Sequence, residues 1–211
     1  MTPGNIAKIE AAVLALVEIL HKCWGHYHLL QGIHKGSKEY PSAISEHNNV
    51  LMQIWRSGFE ALFAATGTLL DKRKDTVSIS TLITLVRRLG TPDVKSILPD
   101  IENQLNDKTG EIQKFREWRH NVIAHLSQHG RDMMFYEKNK MNLVQVEKTL
   151  KKLESIVNEI SWHATSIHNT VRPASANLVQ NGVFLMKSLE VTVLSPDINI
   201  PNKTRHQYGR K

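Results

Sequence analysis

Apolar residues recur every three or four positions along most of this chain, the spacing that lines one face of an α-helix. Over 5–31 the stripe is Ile6, Ile9, Val13, Leu16, Leu20 and Tyr27, and a loop holding Gly32, Gly36, Ser37 and Pro41 is expected to end it. A second long helix is predicted over 42–70, with Leu51, Trp55, Phe59, Leu62, Phe63, Thr66 and Leu69 at near-heptad spacing. After a basic turn over 71–75, Ser78-Ile79-Ser80 reads as a helix start and Gly90-Thr91-Pro92 as its stop. One further helix is expected over 92–106 and another over 110–127, stopping near Gly130. Leu143, Val146, Leu150, Leu153, Val157 and Ile160 predict a long helix ending near His168.

Beyond Val171 the pattern weakens. A short helix is expected over 176–190 despite Gly182, then a short strand or extended arm over 191–194. Residues 202–211 carry Lys203, Arg205, Arg210 and Lys211 with no acidic group, and are expected to form a frayed basic tail. Long helices with mostly short connections predict an all-α, up-and-down helical bundle over 1–170, with 171–211 as a C-terminal helix or arm and tail.

Composition changes this picture little. The 211 residues suffice for one sizeable core, and 41% apolar with 22% charged residues is ordinary for a globular chain, so disorder is not the default. A formal charge of +7 favours polyanionic partners such as nucleic acid, and an acidic protein would fit it equally. Cys23 stands alone, so no intrachain disulfide can form and a cytoplasmic location is expected. The apolar run over 11–17 falls far short of the roughly 20 residues that span a bilayer, so no membrane association is expected.

One stretch breaks the pattern. In Phe115-Arg116-Glu117-Trp118-Arg119-His120-Asn121-Val122-Ile123-Ala124-His125, the stripe of Ile112, Phe115, Val122 and Leu126 passes through Arg119, a cation where an apolar residue belongs. On a uniform α-helix His125 lies about 9 Å along the axis and about 120° around it, so both side chains flank one inward strip and could converge on an anion. The plain structural alternative pairs Arg119 with a bundle carboxylate, Glu60 or Asp71, and lets His125 stabilise a helix end.

The run from Arg119 to His125 resembles the Arg-x(4–6)-His signature of HEPN domains. The context resembles the abortive-infection U2-like branch of that superfamily: a long helix ending in Leu70-Asp71, a helix started by Ser78-Ile79, then the motif. The similarity covers about 5–165. The position after the Arg is commonly Asn or Asp; here it is His120 with Asn121 following, so either supplies the auxiliary polar contact. The resemblance implies a bundle that dimerises with the motifs of two copies lining one cleft. It also implies a metal-independent endoribonuclease of toxin–antitoxin or phage-defence type without cofactors, and as partners RNA, a second copy and a cognate antitoxin or regulatory protein. Other members of the superfamily are non-catalytic binders of RNA, nucleotide or protein.

The chemistry suits the residues. RNA cleavage without a metal needs a base for the 2′-hydroxyl proton, an acid for the leaving 5′-oxygen, and a cation for charge on the phosphorane. Histidine titrates near working pH, fitting His125 as general acid/base. The arginine fork holds two phosphate oxygens while staying charged, fitting Arg119 as clamp. Arg116, Arg87, Arg88, Lys72 and Arg73 are candidates for following the RNA backbone, or else a solvated basic face. Trp118 and Trp55 could stack a base but sit on apolar stripes, and Cys23 reads as core rather than nucleophile. His26 and His28 point to different faces of a helix, and His125 and His129 have i, i+4 spacing but lie where Gly130 is expected to end the helix, so no metal site is expected.

Overall fold

The structure, a computed structural model, describes residues 1–120, 142–169 and 175–194. All regular structure among the described residues is helical: α1 (Pro3–Glu39), α2 (Pro41–Leu69), α3 (Ile79–Leu89), α4 (Pro92–Ser96), α5 (Leu98–Asn106), α6 (Glu111–Trp118), α7 (Leu143–Thr165) and α8 (Ser175–Leu194). The expected all-α bundle is what forms. Helix α1 is its axis, packing on α2, α3, α7 and α8, and Ile9, Val13, Leu16, Leu20 and Tyr27 of its predicted stripe are all buried.

The expected loop after residue 31 does not exist. Helix α1 continues to Glu39 and only Tyr40 separates it from α2, whose first residue, Pro41, has no N–H to leave unpaired. Glycine ends helices by adopting positive φ, and no glycine among the described residues does so. Gly32 and Gly36 instead make room for α8. A Cβ on Gly32 would collide with the Val179 carbonyl, and one on Gly36 would lie 2.7 Å from Met186 Cγ. Gly182 reciprocates, since its Cβ would stand 2.7 Å from both the Leu29 carbonyl oxygen and the Ile33 nitrogen. Gly32 and Gly182 thus mark a backbone-to-backbone crossing, and Gly36 makes room for the Met186 side chain beside it.

Helix α8 also corrects the expectation for 191–194, which are helical rather than a strand or extended arm. Val191 and Val193 favour strands only weakly and by context, and the preceding turns are fixed: Met186 is fully buried and Glu190 accepts a hydrogen bond from Ala43 N–H at 2.6 Å. That carboxylate satisfies a first-turn donor of α2.

Pairs across α1 and α2 run in opposite order, Cys23 with Thr66, Leu30 with Gly58, His34 with Trp55, so the two form an antiparallel hairpin. Ser78 caps α3 as predicted, in a reciprocal pair with Thr81. The single helix expected over 92–106 is two. Pro99 in the first turn of α5 cannot donate to the preceding turn, and the chain breaks at Ile97. Helix α7 starts on an Asn142–Gln145 capping box and ends at Ser166, in the left-handed region at φ 58°, before the expected His168.

Candidate functional site

Aromatic packing docks α6 onto the second half of α2. Phe63 stacks on Phe115 with ring centroids 4.4 Å apart and planes 7° from parallel, and Trp118 leans on Phe63 at 4.5 Å. The run continues through Phe59 to Trp55. Both tryptophans are therefore half-buried members of the core rather than open stacking platforms. Burying a side chain of this size contributes roughly 1.5–3 kcal/mol, and a stacked aromatic pair about 0.5–1.5 kcal/mol more. This contact sets the register of the next turn of each helix.

One helical turn beyond Phe63 is Gly67, and one turn beyond Phe115 is Arg119. The two meet as the rings before them do. A Cβ on Gly67 would overlap Arg119 Nε and lie 2.5 Å from its Cζ and 2.9 Å from its Cδ, so the guanidinium lies directly against the α2 backbone. Arg119 is half-buried there. The cation that broke the apolar stripe faces the bundle after all, in the space that a missing side chain leaves.

The acidic partners proposed for it are engaged elsewhere. Glu60 pairs with Arg56 at 2.9 Å, within α2. Asp71 pairs with Arg73 at 2.9 Å and accepts its backbone N–H at 3.0 Å, which together hold the Asp71 carboxyl below the usual carboxylate range. No carboxylate among the described residues forms an ion pair with Arg119.

Arg119 forms part of the wall of an open cleft of about 510 Å³, which Gly67, Asp71, Lys72, Arg116, Glu117 and exposed His120 also line. The Leu70–Lys72 corner closes one side and the exit of α6 the other. The backbone takes π geometry at Arg119 and His120, and the expected placement of His125 relative to Arg119 falls outside the described residues. His125 and Asn121 lie outside the described residues.

The basic candidates divide. Lys72 is exposed at the cleft. Arg116 lines it too, but its Nη1 donates to the Leu105 carbonyl at 2.8 Å, and burial pushes its guanidinium below its ordinary value. Arg73 is spent on Asp71. Arg87 forms an ion pair with Glu102 of α5, and neither it nor the exposed Arg88 reaches the cleft lining. Cys23 is fully buried, and burial pushes its thiol from 9.0 to about 11, which fits core and not a nucleophile.

Sequence reasoning missed Gly67. A glycine between Thr66 and Leu69 on the inward face of a long helix was the available signal, since such a position marks close approach by a neighbour. No cluster of three His, Cys, Asp or Glu suited to a metal occurs among the described residues, and no helix there is long and apolar enough to cross a membrane.

The AbiU2 family model of HEPN domains matches residues 6–183. Neither the curated proteins nor the solved structures contain a match.

Proposed function

Since the chain belongs to the AbiU2 family of HEPN domains, we propose that it is a metal-independent endoribonuclease of a phage-defence or toxin–antitoxin type system. The observation that carries this reading is Arg119, a half-buried guanidinium in the wall of an open cleft, with Glu60 and Asp71 each paired to another arginine. A guanidinium at such a wall suits a phosphate, whose oxygens its planar fork can hold.

In this mechanism His125 takes the proton of the ribose 2′-hydroxyl and the oxygen attacks phosphorus. The bond to the 5′-oxygen breaks as that oxygen receives a proton, leaving a 2′,3′-cyclic phosphate. Arg119 neutralises the phosphorane oxygens, and His120 or Asn121 supplies an auxiliary polar contact. One motif carries one such His and one such Arg, and separate acid and base roles call for two. The working unit is therefore a homodimer, with the motifs of both copies at one cleft.

Incubation of the full chain with mixed RNA in EDTA tests this. Cyclic-phosphate ends are expected, reduced about 10²–10³-fold in Arg119→Ala and at least about 10²-fold in His125→Ala. RNA that is bound but left intact, with affinity falling steeply as salt rises, would make the protein a non-catalytic binder.

A further inference from the structure

We propose that Gly67 is the positioning residue for Arg119, its missing side chain seating the guanidinium against α2 at the cleft wall. The inference rests on the reading of Arg119 as the phosphate clamp, and concerns a residue outside the Arg-x(4–6)-His motif.

Two reasons usually explain a glycine inside a helix, and they separate here. Backbone conformation is not the reason, because Gly67 lies within helical α2 and no described glycine has positive φ. Space is. The atoms that a Cβ at 67 would overlap are Nε, Cζ and Cδ of Arg119, and no other neighbour comes as near. At Gly32 and Gly182 the obstacle is backbone, which cannot yield. At Gly67 it is the far end of a flexible side chain, which can.

An added methyl group at 67 therefore moves the guanidinium and leaves the fold in place. The Phe63–Phe115 stack one turn earlier holds both helices whatever stands at 67. Removing a glycine from a helix also favours the folded state. Gly67→Ala should therefore raise stability slightly while lowering function, opposite signs that a structural glycine would not give. A displacement of about 1 Å in a clamping group can cost about 10²-fold in rate.

The experiment compares wild type, Gly67→Ala, Arg119→Ala and the double variant, all as full chains. Gly67→Ala is expected to melt at or above the wild-type temperature and to shift the Arg119 Nε–H resonance, identified as the NMR cross-peak missing from Arg119→Ala. RNA cleavage should fall about 10–100-fold, and in the Arg119→Ala background the Gly67 change should do nothing further. An unmoved Arg119 resonance overturns the proposal, and so does a loss of cleavage that persists undiminished when Arg119 is already gone. Should the wild type neither cleave nor bind RNA, the endoribonuclease reading fails by itself, and the resonance still decides whether Gly67 sets the place of Arg119.

Discussion

Removing Arg116 separates two roles that its position in the cleft would otherwise confound. Its Nη1 donates to the Leu105 carbonyl at 2.8 Å, in the last turn of α5, where carbonyls have no partner within the helix. A hydrogen bond from a charged donor contributes about 1.5–3 kcal/mol, and a cation at a helix C-terminus about 0.3–1 kcal/mol. Arg116 is only half-buried, which places the expected loss in Arg116→Ala near the low end, about 2 kcal/mol. For a chain of this size that lowers the melting temperature by about 4–8 °C. Arg116→Lys should recover part of the loss, since an ammonium retains one charged donor without the planar fork. The assay is a thermal melt of each variant beside RNA affinity measured across a salt series. If Arg116 is a strut, stability falls while the salt slope is unchanged. A melting temperature within about 1 °C of wild type, together with a slope reduced by about 0.7, would refute this and make Arg116 a phosphate contact.

Gly182→Ala should destabilise the bundle although alanine is the better helix former, because its Cβ would stand 2.7 Å from the Leu29 carbonyl oxygen and the Ile33 nitrogen. Overpacking of this kind costs about 1–3 kcal/mol against roughly 0.5–1 kcal/mol gained from propensity, and a raised melting temperature would contradict the close α1–α8 crossing. Cys23 gives a pH signature. Its folded pKa of about 11 lies above the ordinary 9.0. The unfolded chain therefore loses this proton first, and stability falls as pH rises from 9 towards 11. The advantage of wild type over Cys23→Ala in urea melts should be flat below pH 9 and shrink by up to about 3 kcal/mol above it. An advantage that grows with pH would reverse the assigned direction.

Helix existence was legible in the sequence wherever an amphipathic stripe ran unbroken, as in α2, α3 and α7, and a cap was legible where Ser78 opened the stripe. Glycine was misread. Gly32 and Gly36 look like helix ends to a reading of local propensity, and their actual role depends on α8, about 150 residues later. The same limitation hid the helical state of 191–194, which depends on Met186 and Glu190 being held by distant elements. Pro99 was a local signal and could have divided α4 from α5. At the site, Arg119 was identifiable because it broke a period. The sorting of basic residues was not, since it depends on which carboxylate or carbonyl each one meets: Asp71 for Arg73, Glu102 for Arg87, Leu105 for Arg116.

Arg119 and Gly67 are two violations that cancel. A cation on an apolar stripe loses hydration, and a glycine on the buried face of a helix loses packing and adds chain entropy. Either alone would weaken the bundle. Set opposite each other, with the Phe63–Phe115 stack fixing the register one turn earlier, the glycine supplies the space that the guanidinium and its stem fill. The guanidinium itself takes the place of the missing apolar contact and also forms part of the cleft wall. The pairing spans 52 positions of sequence (119 − 67) and has no period of its own, so it is visible only once α6 is docked on α2. Stability alone does not require it: a leucine at 119 facing an alanine at 67 would preserve the apolar stripe and improve helix propensity at both places. That the chain carries the costlier pair is the physical reason to look for function at this end of the bundle.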